Sequence, residues 1–492
     1  MPEAAEDQLR LFQCGLESYR EGRLADAEQH LRELLNCRPD HFDALHLAGV
    51  IARQCGDNQR AVELIFQAIA VNDRIAAAHR HLGDALADLG HLDVALSCYD
   101  TAIALRADDP LAFDGRGMAL LDLQRPEEAV ESLRQALSLA PDYAQAWNNL
   151  GISLNASGRH DEAVASFERS ISLAPEDDRP YLNCAHTYLQ TGRFERGWDL
   201  YEWRAKVGRY VTPAHVAARS AWDGREEIRG KTLYVYCEQG LGDTIQFCRY
   251  ANLAAARGAR VVLSVQPSLI RILRGLNPSV DVISEALAPA QFDFHCPLLS
   301  LPRSFGTTLA TIPAAVPYLR PEPERVEHWR RFLGTQGFKV GIGWQGGVSA
   351  VDVGRSFPVA SFEKLATLPG VRLISLQKGA GTEQLASLSP ELRIETLGEF
   401  DTGPDAFLDT AAVVQNLDLV ISSDTALAHL AGALGRQTWV VLKHSPDWRW
   451  LLERTDSPWY PRTVLFRQRR NRDWAGVFED VHRALSVRLT PP

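Results

Sequence analysis

The chain has 492 residues, 46% of them hydrophobic, which predicts two or three packed domains instead of one. Its net charge of −10 gives no general attraction for nucleic acid or acidic lipid. The N-terminal stretch lacks the apolar core of a secretory signal, and no apolar run approaches the roughly 20 residues of a membrane helix. The eight cysteines form no C-x-x-C pair, as is typical of thiols in a reducing cytosol. We therefore expect a cytoplasmic protein with neither a disulfide framework nor a zinc site.

A period of about 34 residues runs through the first two hundred positions. Alanine follows each repeated glycine in register, and a larger side chain follows the alanine. Glycine recurs at Gly15, Gly49, Gly83, Gly117 and Gly151. This pattern resembles the tetratricopeptide repeat, in which two antiparallel helices cross at small residues. It predicts an α solenoid of about six units over residues 1–204.

The sixth unit, Tyr181–Arg204, departs from the pattern. Gly197 replaces the small alanine, and the aromatic residues Trp198, Tyr201 and Trp203 follow it. Terminal repeats of a solenoid are commonly atypical because they cap the stack or contact the next domain. The aromatic cluster therefore predicts docking onto the domain that follows.

Several polar residues of the repeats are candidates for the concave surface of the solenoid. They are His79, His81 and the pair Asn148–Asn149, and each alone is also compatible with plain surface or packing duty. A solenoid without enzymatic groups most often binds protein. We therefore expect another protein as the partner of the repeats.

Residues 205–230 break the repeat and are predicted to be a linker. Strands then alternate with helices, so that residues 231–323 and 324–492 form two α/β domains joined by a proline-rich hinge over 313–323. The predicted strands of the first domain are Thr232–Tyr236, Arg260–Val265 and Val280–Ile283, and Phe292–Leu299 is either a strand or the entry to a loop. Its predicted helices are Thr244–Arg257 and Leu269–Leu276. The predicted strands of the second domain are Lys339–Gly343, Val371–Leu376, Leu417–Ile421 and Gln437–Leu442. Its predicted helices are Phe362–Leu365, Glu383–Leu388, Phe407–Gln415, Thr425–Leu434 and Trp474–Val487.

A glycine-bearing turn, Glu238–Asp243, follows the first predicted strand. It is neither a P-loop nor a dinucleotide fingerprint, but its glycines allow a ligand to approach the backbone. We expect Gln239, Gly240 and Gly242 to contact substrate. Asp243 is the candidate general base, and capping of the next helix is the structural alternative.

A second glycine-rich turn follows the strand Lys339–Gly343. We expect Trp344, Gln345 and Gly346 to contact a ligand at this sheet edge. Two basic residues, Arg355 and Lys378, are predicted at the same sheet edge, where each could bind phosphate. The sequence does not choose between them.

The stretch Leu417–Leu434 predicts a strand, a sharp turn and a helix. Such a turn directs the N–H groups of a helix N-terminus at the carboxyl edge of the sheet, where phosphate binds. A structural crossover with a well-capped helix is the alternative. The candidate binding residues are Ser423, Asp424, Thr425, Ala426 and His429.

These segments together resemble bacterial proteins in which tetratricopeptide repeats precede a glycosyltransferase domain of the heptosyltransferase type. The matching stretches are GRFERGWDLYEWR, EQGLGDTIQFCRY, GIGWQGG, SLQKG, SSDTALAHLAGALGR and DWRWLLERTDSPWYP. The resemblance implies a GT-B fold, with two Rossmann-like domains facing a cleft. The D-T-G-x-x-H donor segment of the family is carried here by Asp424, Thr425 and His429, with Ala426 in place of glycine. The catalytic aspartate of the family corresponds to Asp243, while its lysine is not matched in place.

The resemblance implies transfer of a sugar from a nucleotide-sugar, with inversion and without a metal or another cofactor. No D-x-D triad suggests a metal-bound diphosphate either. The layout is similar to that of protein O-glycosyltransferases, some of which modify flagellin with nonulosonic acids. We therefore predict a protein glycosyltransferase that acts on Ser or Thr. A repeat scaffold with a catalytically degenerate GT-B domain is the alternative, and a lipid-linked glycan acceptor is a third hypothesis.

Overall fold

The structure is a computed structural model that describes residues 2–208, 213, 215–216, 219–347, 354–389 and 392–490. The chain divides into two compact units, residues 1–184 and 185–492. Parts of the predicted linker, and residues 348–353 before Arg355, lie outside the described residues. No helix among the described residues is long and apolar enough to cross a lipid bilayer.

The first two hundred residues form consecutive helices that pack as pairs. They are α1 (Pro2–Arg20), α2 (Leu24–Cys37), α3 (Phe42–Gln54), α4 (Asn58–Val71), α5 (Ala76–Asp88), α6 (Leu92–Leu105), α7 (Pro110–Asp122), α8 (Pro126–Leu139), α9 (Ala144–Ala156), α10 (His160–Leu173), α11 (Arg179–Gln190) and α12 (Phe194–Tyr201). The repeated glycine of each pair lies where its two helices cross. At Gly49 an added Cβ would lie 2.4 Å from Ile65, and at Gly151 it would lie 2.5 Å from Phe167. The predicted helical solenoid and its small residues at the helix crossings are therefore observed.

The second helix of the sixth repeat, α12, belongs to the second compact unit. The indole N–H of Trp198 donates to the carbonyl of Thr307 at 2.9 Å, and its ring meets Trp448 edge-on at 5.3 Å. Tyr201 also contacts Trp448, with ring centroids 5.9 Å apart. The aromatic cluster of the sixth repeat thus packs against residues far along the chain, as the sequence predicts.

The first α/β region contains a four-stranded parallel sheet in the order β3-β2-β1-β4. Its strands are β1 (Thr232–Tyr236), β2 (Arg260–Val265), β3 (Val280–Ser284) and β4 (Phe294–Pro297), and its helices are α13 (Leu241–Phe247), α14 (Arg249–Ala256), α15 (Ile270–Leu273) and α16 (Leu301–Ser304). The single helix predicted over Thr244–Arg257 is wrong, because it is two helices, and the first begins directly after Gly240.

The second α/β region contains a six-stranded parallel sheet in the order β10-β9-β8-β5-β6-β7. Its strands are β5 (Phe338–Gly343), β6 (Val371–Ser375), β7 (Ile394–Glu395), β8 (Leu419–Ser423), β9 (Thr438–Leu442) and β10 (Thr463–Arg467). Its helices are α17 (Pro323–Leu333), α18 (Glu363–Ala366), α19 (Leu408–Gln415), α20 (Ala426–Ala433) and α21 (Trp474–Leu489). Counted from β5, this is the strand order of doubly wound dinucleotide-binding sheets, whose ligands bind where the order reverses. That point lies between β5 and β8.

Some predicted bounds are shifted or changed in type. The strand predicted from Leu417 begins at Leu419, because the N–H of Leu417 still completes the turn after α19 by donating to Val414 at 3.2 Å. The helix predicted over Glu383–Leu388 is a 3-10 helix, Thr382–Ser387. β7, β10 and α17 were not predicted. The C-terminal helix α21 was predicted, and it packs its apolar face against the core of the second sheet.

Candidate functional site

Two helix N-termini that follow strands of different sheets meet in the second compact unit. α13 follows β1, and α20 follows β8. At Gly242 in α13 an added Cβ would lie 3.1 Å from Cδ2 of His429 and 3.4 Å from Cα of Ala426. Glycine at this position therefore allows α13 and α20 to come into close contact. The two motifs that the sequence singled out are brought together.

Asp243 is the third residue of α13 and uses both carboxylate oxygens. One oxygen accepts a hydrogen bond of 2.9 Å from the backbone N–H of Gly240, which caps the helix. The other accepts from Nη2 of Arg449 at 2.5 Å. Burial raises the pKa of Asp243 above its usual range, against the lowering effect of Arg449. Asp243 therefore stabilises the helix start and also carries a basic carboxylate in the site.

Arg449 links three side chains of this site. Its Nη1 donates to Asp447 at 2.9 Å, and its Nε donates to Oε1 of Gln246 at 2.9 Å, in addition to the bond with Asp243. Although burial acts to raise it, the pKa of Asp447 lies below its usual value because of Arg449. Burial also opposes the charge of Arg449, yet the two carboxylates raise the pKa of its guanidinium. Arg449 is therefore a charged group held between two carboxylates.

The N-terminus of α20 is not capped by a side chain. Thr425 is the N-cap residue, but its hydroxyl makes no capping bond and lies 3.2 Å from the hydroxyl of Ser422. Among the described residues, the backbone N–H groups of Ala426 and Leu427 have no hydrogen-bond acceptor, as an anion site requires. Ser423 has no exposed surface, and its hydroxyl has no hydrogen-bond partner among the described residues. Ala426 is the first helical residue and contacts α13 through Gly242.

Asp424 lies beside this helix start. Burial and the neighbouring charge of Asp447 raise the pKa of Asp424 to about 6. A carboxylate next to an anion site repels the anion when it is ionised. Its raised pKa means that Asp424 takes up a proton more readily than an ordinary aspartate.

His429 lies on α20, and its imidazole is almost completely buried. The ring stacks on Trp450 with centroids 5.4 Å apart, and its Nδ1 is 3.0 Å from the hydroxyl of Tyr460. Burial and the nearby Arg449 lower the pKa of His429 to about 3. The imidazole is therefore neutral at physiological pH, and it can act as a hydrogen-bonding group but not as a cation.

The second glycine-rich turn is held by Gln377. The side-chain oxygen of Gln377 accepts from the backbone N–H groups of Trp344 and Gln345, and its nitrogen donates to the carbonyl of Gln345. The Trp344 indole is completely buried in the core of the second sheet. The backbone N–H of Gly346 donates to Ser356 at 3.2 Å. The predicted contact of Trp344 with ligand therefore does not involve its side chain.

The structure places the two candidate basic residues differently. Burial dominates the pKa shifts of Asp243, Asp424 and His429, and Arg355 adds a smaller lowering to each of them, which places Arg355 close to the site. Nζ of Lys378 instead donates to the backbone carbonyls of Phe400 and Asp401. Of the two, Arg355 is therefore the stronger candidate for a phosphate ligand.

The start of the first turn is fixed by Glu238. Its carboxylate accepts from Arg204 twice and from the backbone N–H of Leu299, which lies after β4. The carbonyl of Gln239 accepts from Gln266 at 2.8 Å, and its side chain is 3.5 Å from the hydroxyl of Tyr201. These contacts fix the turn at the carboxyl ends of β1, β2 and β4, and the order of the first sheet reverses between β1 and β4.

The sequence prediction missed Arg449, Asp447 and Gln246 as site residues. Asp447 and Arg449 follow the carboxyl end of β9, as Asp424 follows that of β8. The ends of parallel neighbours meet at one sheet edge, so this position after a predicted strand was the signal that could have found them.

Comparisons with known proteins support the N-terminal assignment. The profile of the tetratricopeptide repeat family matches residues 15–73, 47–110 and 115–178. The predicted repeats are confirmed by this match. A curated relative, Protein FlbA of Caulobacter vibrioides, is 30% identical over 305 residues, which cover 57% of this chain and 50% of that protein. The chain spans about half the length of that relative.

Solved structures with similar repeats include PilF of Pseudomonas aeruginosa, 17% identical with a TM-score of 0.37. The match covers 42% of this chain and 93% of PilF. A tetratricopeptide repeat protein of Thermus thermophilus is 24% identical with a TM-score of 0.33, and the match covers 37% of this chain and 99% of that protein.

Proposed function

We propose that this chain is a protein glycosyltransferase that moves a sugar from a nucleotide-sugar to a Ser or Thr hydroxyl of a protein bound by the repeats. In this proposal the two parallel sheets are the halves of a GT-B fold. The observation that supports it is the contact between α13 and α20, because α13 carries Asp243 and α20 begins with N–H groups that have no acceptor among the described residues. A base and an anion site side by side are what transfer from a nucleotide-sugar needs.

The proposed chemistry is a single displacement. Asp243 takes the proton of the acceptor hydroxyl while the oxygen attacks the anomeric carbon, so the new glycosidic bond forms as the bond to the phosphate oxygen breaks. The nucleotide leaves with the bonding electron pair, and the configuration inverts. Arg355 and the N–H groups of α20 stabilise the charge on the leaving phosphate without a metal ion. The raised pKa of Asp243 makes it a stronger base than an ordinary aspartate.

Flagellin is the first acceptor to test, because proteins with this arrangement of repeats and transferase include flagellin glycosyltransferases. A nonulosonic acid is the first sugar to test for the same reason. Intact-mass spectrometry of flagellin and of proteins that copurify with the chain should show a glycan-sized mass increase when the chain is expressed. An unchanged mass for every copurifying protein would favour the second candidate, a repeat scaffold with a degenerate GT-B domain, for which Ala426 in place of glycine is the motivation.

A further inference from the structure

The guanidinium of Arg449 has more donors than protein acceptors. A guanidinium carries five N–H groups, and three of them are used by Gln246, Asp447 and Asp243. Within the described ranges the remaining two meet no acceptor. The side chain is only 9% exposed, so bulk water is not their main partner. Unused donors on a buried cation indicate that a ligand completes the set.

A second buried donor lies next to Arg449. Gln246 has no exposed surface, and its Oε1 accepts from Arg449. Its Nε2 has no hydrogen-bond partner in the described part of the chain. An unmade hydrogen bond on a buried amide costs about 1–3 kcal/mol. Gln246 on α13 and Arg449 after β9 therefore present unused N–H groups next to each other.

The positive charge of Arg449 influences residues at the start of α20. Arg449 lowers the pKa of both Asp424 and His429, although burial is the larger influence on each of them. Arg449 thus acts on the start of α20, where the proposed function places the leaving phosphate. Asp243 and Asp447 are the groups that an incoming anion would compete with for the guanidinium.

We propose that Arg449 is a phosphate-binding residue that also positions Asp243. This inference rests on the proposed function, and it adds Arg449 and Gln246 as ligands of the donor's phosphate. In the unliganded protein Arg449 holds Asp243 and Asp447. When the phosphate of the nucleotide-sugar binds, it accepts hydrogen bonds from the two unused N–H groups of Arg449 and from the amide of Gln246. The hydrogen bond from Arg449 to Asp243 keeps that carboxylate beside the reacting carbon.

The test is isothermal titration of the full chain with inorganic pyrophosphate and, separately, with inorganic phosphate. Arg449→Gln should weaken binding of the better anion by roughly 10- to 100-fold, which is the effect of losing charge-assisted hydrogen bonds. Asp447→Asn should strengthen it, since one competing carboxylate becomes neutral. Arg449→Lys keeps the charge but loses the guanidinium fork, so it should lie between wild type and Arg449→Gln.

Arg454→Gln is the matched control. Arg454 lies on the same segment and pairs with Asp456, so its loss should leave anion binding unchanged. Equal affinities of wild type and Arg449→Gln would overturn this inference while the proposed anion site stands. Weaker anion binding by Asp447→Asn would also overturn this inference. If Arg449 and Asp447 only maintained the structure of the site, both Arg449→Gln and Asp447→Asn would lose affinity. If the wild type binds neither pyrophosphate nor phosphate, both this inference and the proposed function are overturned.

Discussion

Arg204 donates one hydrogen bond of 2.9 Å to each carboxylate oxygen of Glu238, and neither side chain is exposed to solvent. Arg204 comes from the end of the repeats, whereas Glu238 begins the turn that leads to Asp243. Burial raises the pKa of Glu238 even with Arg204 present, so the carboxylate depends on this partner. The end of the sixth repeat therefore supports the turn that carries the proposed base.

Replacing Arg204 with methionine should destabilise the second compact unit by about 3–5 kcal/mol, because Glu238 would be left buried without a counter-ion. Urea denaturation followed by tryptophan fluorescence measures this, since all but Trp147 of the eleven tryptophans lie in residues 185–492. The double variant Arg204→Met with Glu238→Leu should recover part of the loss. A double variant as unstable as the single one would contradict this account of the pair.

The close contact of α13 with α20 gives a second prediction. Gly242→Ala should lower the free energy of unfolding by about 1 kcal/mol or more and reduce transfer, because the new methyl group crowds His429. Gly275→Ala is the control, since a Cβ there meets nothing within 4 Å. The same urea series measures both variants, and equal effects at the two glycines would show that the contact is unimportant.

The raised pKa of Asp424 should make the free energy of unfolding depend on pH. Its folded pKa of about 6 lies above the ordinary value of 3.8, so the folded state holds the proton more tightly. The unfolding free energy should fall as the pH rises from about 4 to 6, by roughly 3 kcal/mol at most. Asp424→Asn should remove this slope and stabilise the second unit at pH 8 but not at pH 4. Urea midpoints across this range measure it, and a slope that persists in the variant would assign it to another group.

Replacing Arg449 should change the pH profile of transfer. Arg449 lowers the pKa of Asp243 against the larger effect of burial, so its loss should raise that pKa further. A base must be ionised to accept a proton, so the acidic limb of kcat/KM should move to higher pH in Arg449→Gln. Activity at pH 6 should then fall more than activity at pH 8. An equal loss at both values would mean that Arg449 does not influence the ionisation of Asp243.

The repeats and the strands other than β7 and β10 were predictable because their signals are local. The glycines at helix crossings, such as Gly49, keep a fixed register, and an apolar run followed by a polar turn marks each strand that ends at the site. Strand order supplies the rest of the prediction, because carboxyl ends of parallel strands share one edge. For this reason Asp243 and His429 could be named before the contact between their helices was seen.

The partners of these residues were not predictable in the same way. Arg449 is separated from Asp243 by 206 positions, and only tertiary structure brings them together. The direction of a side chain in a turn was not predictable either. The Gly-Trp-Gln-Gly sequence does not indicate that the Trp344 indole is buried in the core. Likewise Lys378 lies at the predicted edge but donates to backbone carbonyls of a neighbouring loop.

Transfer by Asp243→Asn is the most direct test of the central claim. The variant keeps an oxygen that can accept from the backbone N–H of Gly240, but it loses the basic carboxylate. Intact-mass spectrometry of the acceptor protein after incubation with a nucleotide-sugar measures transfer. Asp281→Asn serves as the control, because Asp281 pairs with Arg260 on the surface. We expect Asp243→Asn to lose at least 100-fold of the transfer rate while nucleotide-sugar binding persists and Asp281→Asn stays at the wild-type rate. A wild-type rate for Asp243→Asn would contradict the assignment of Asp243 as the base.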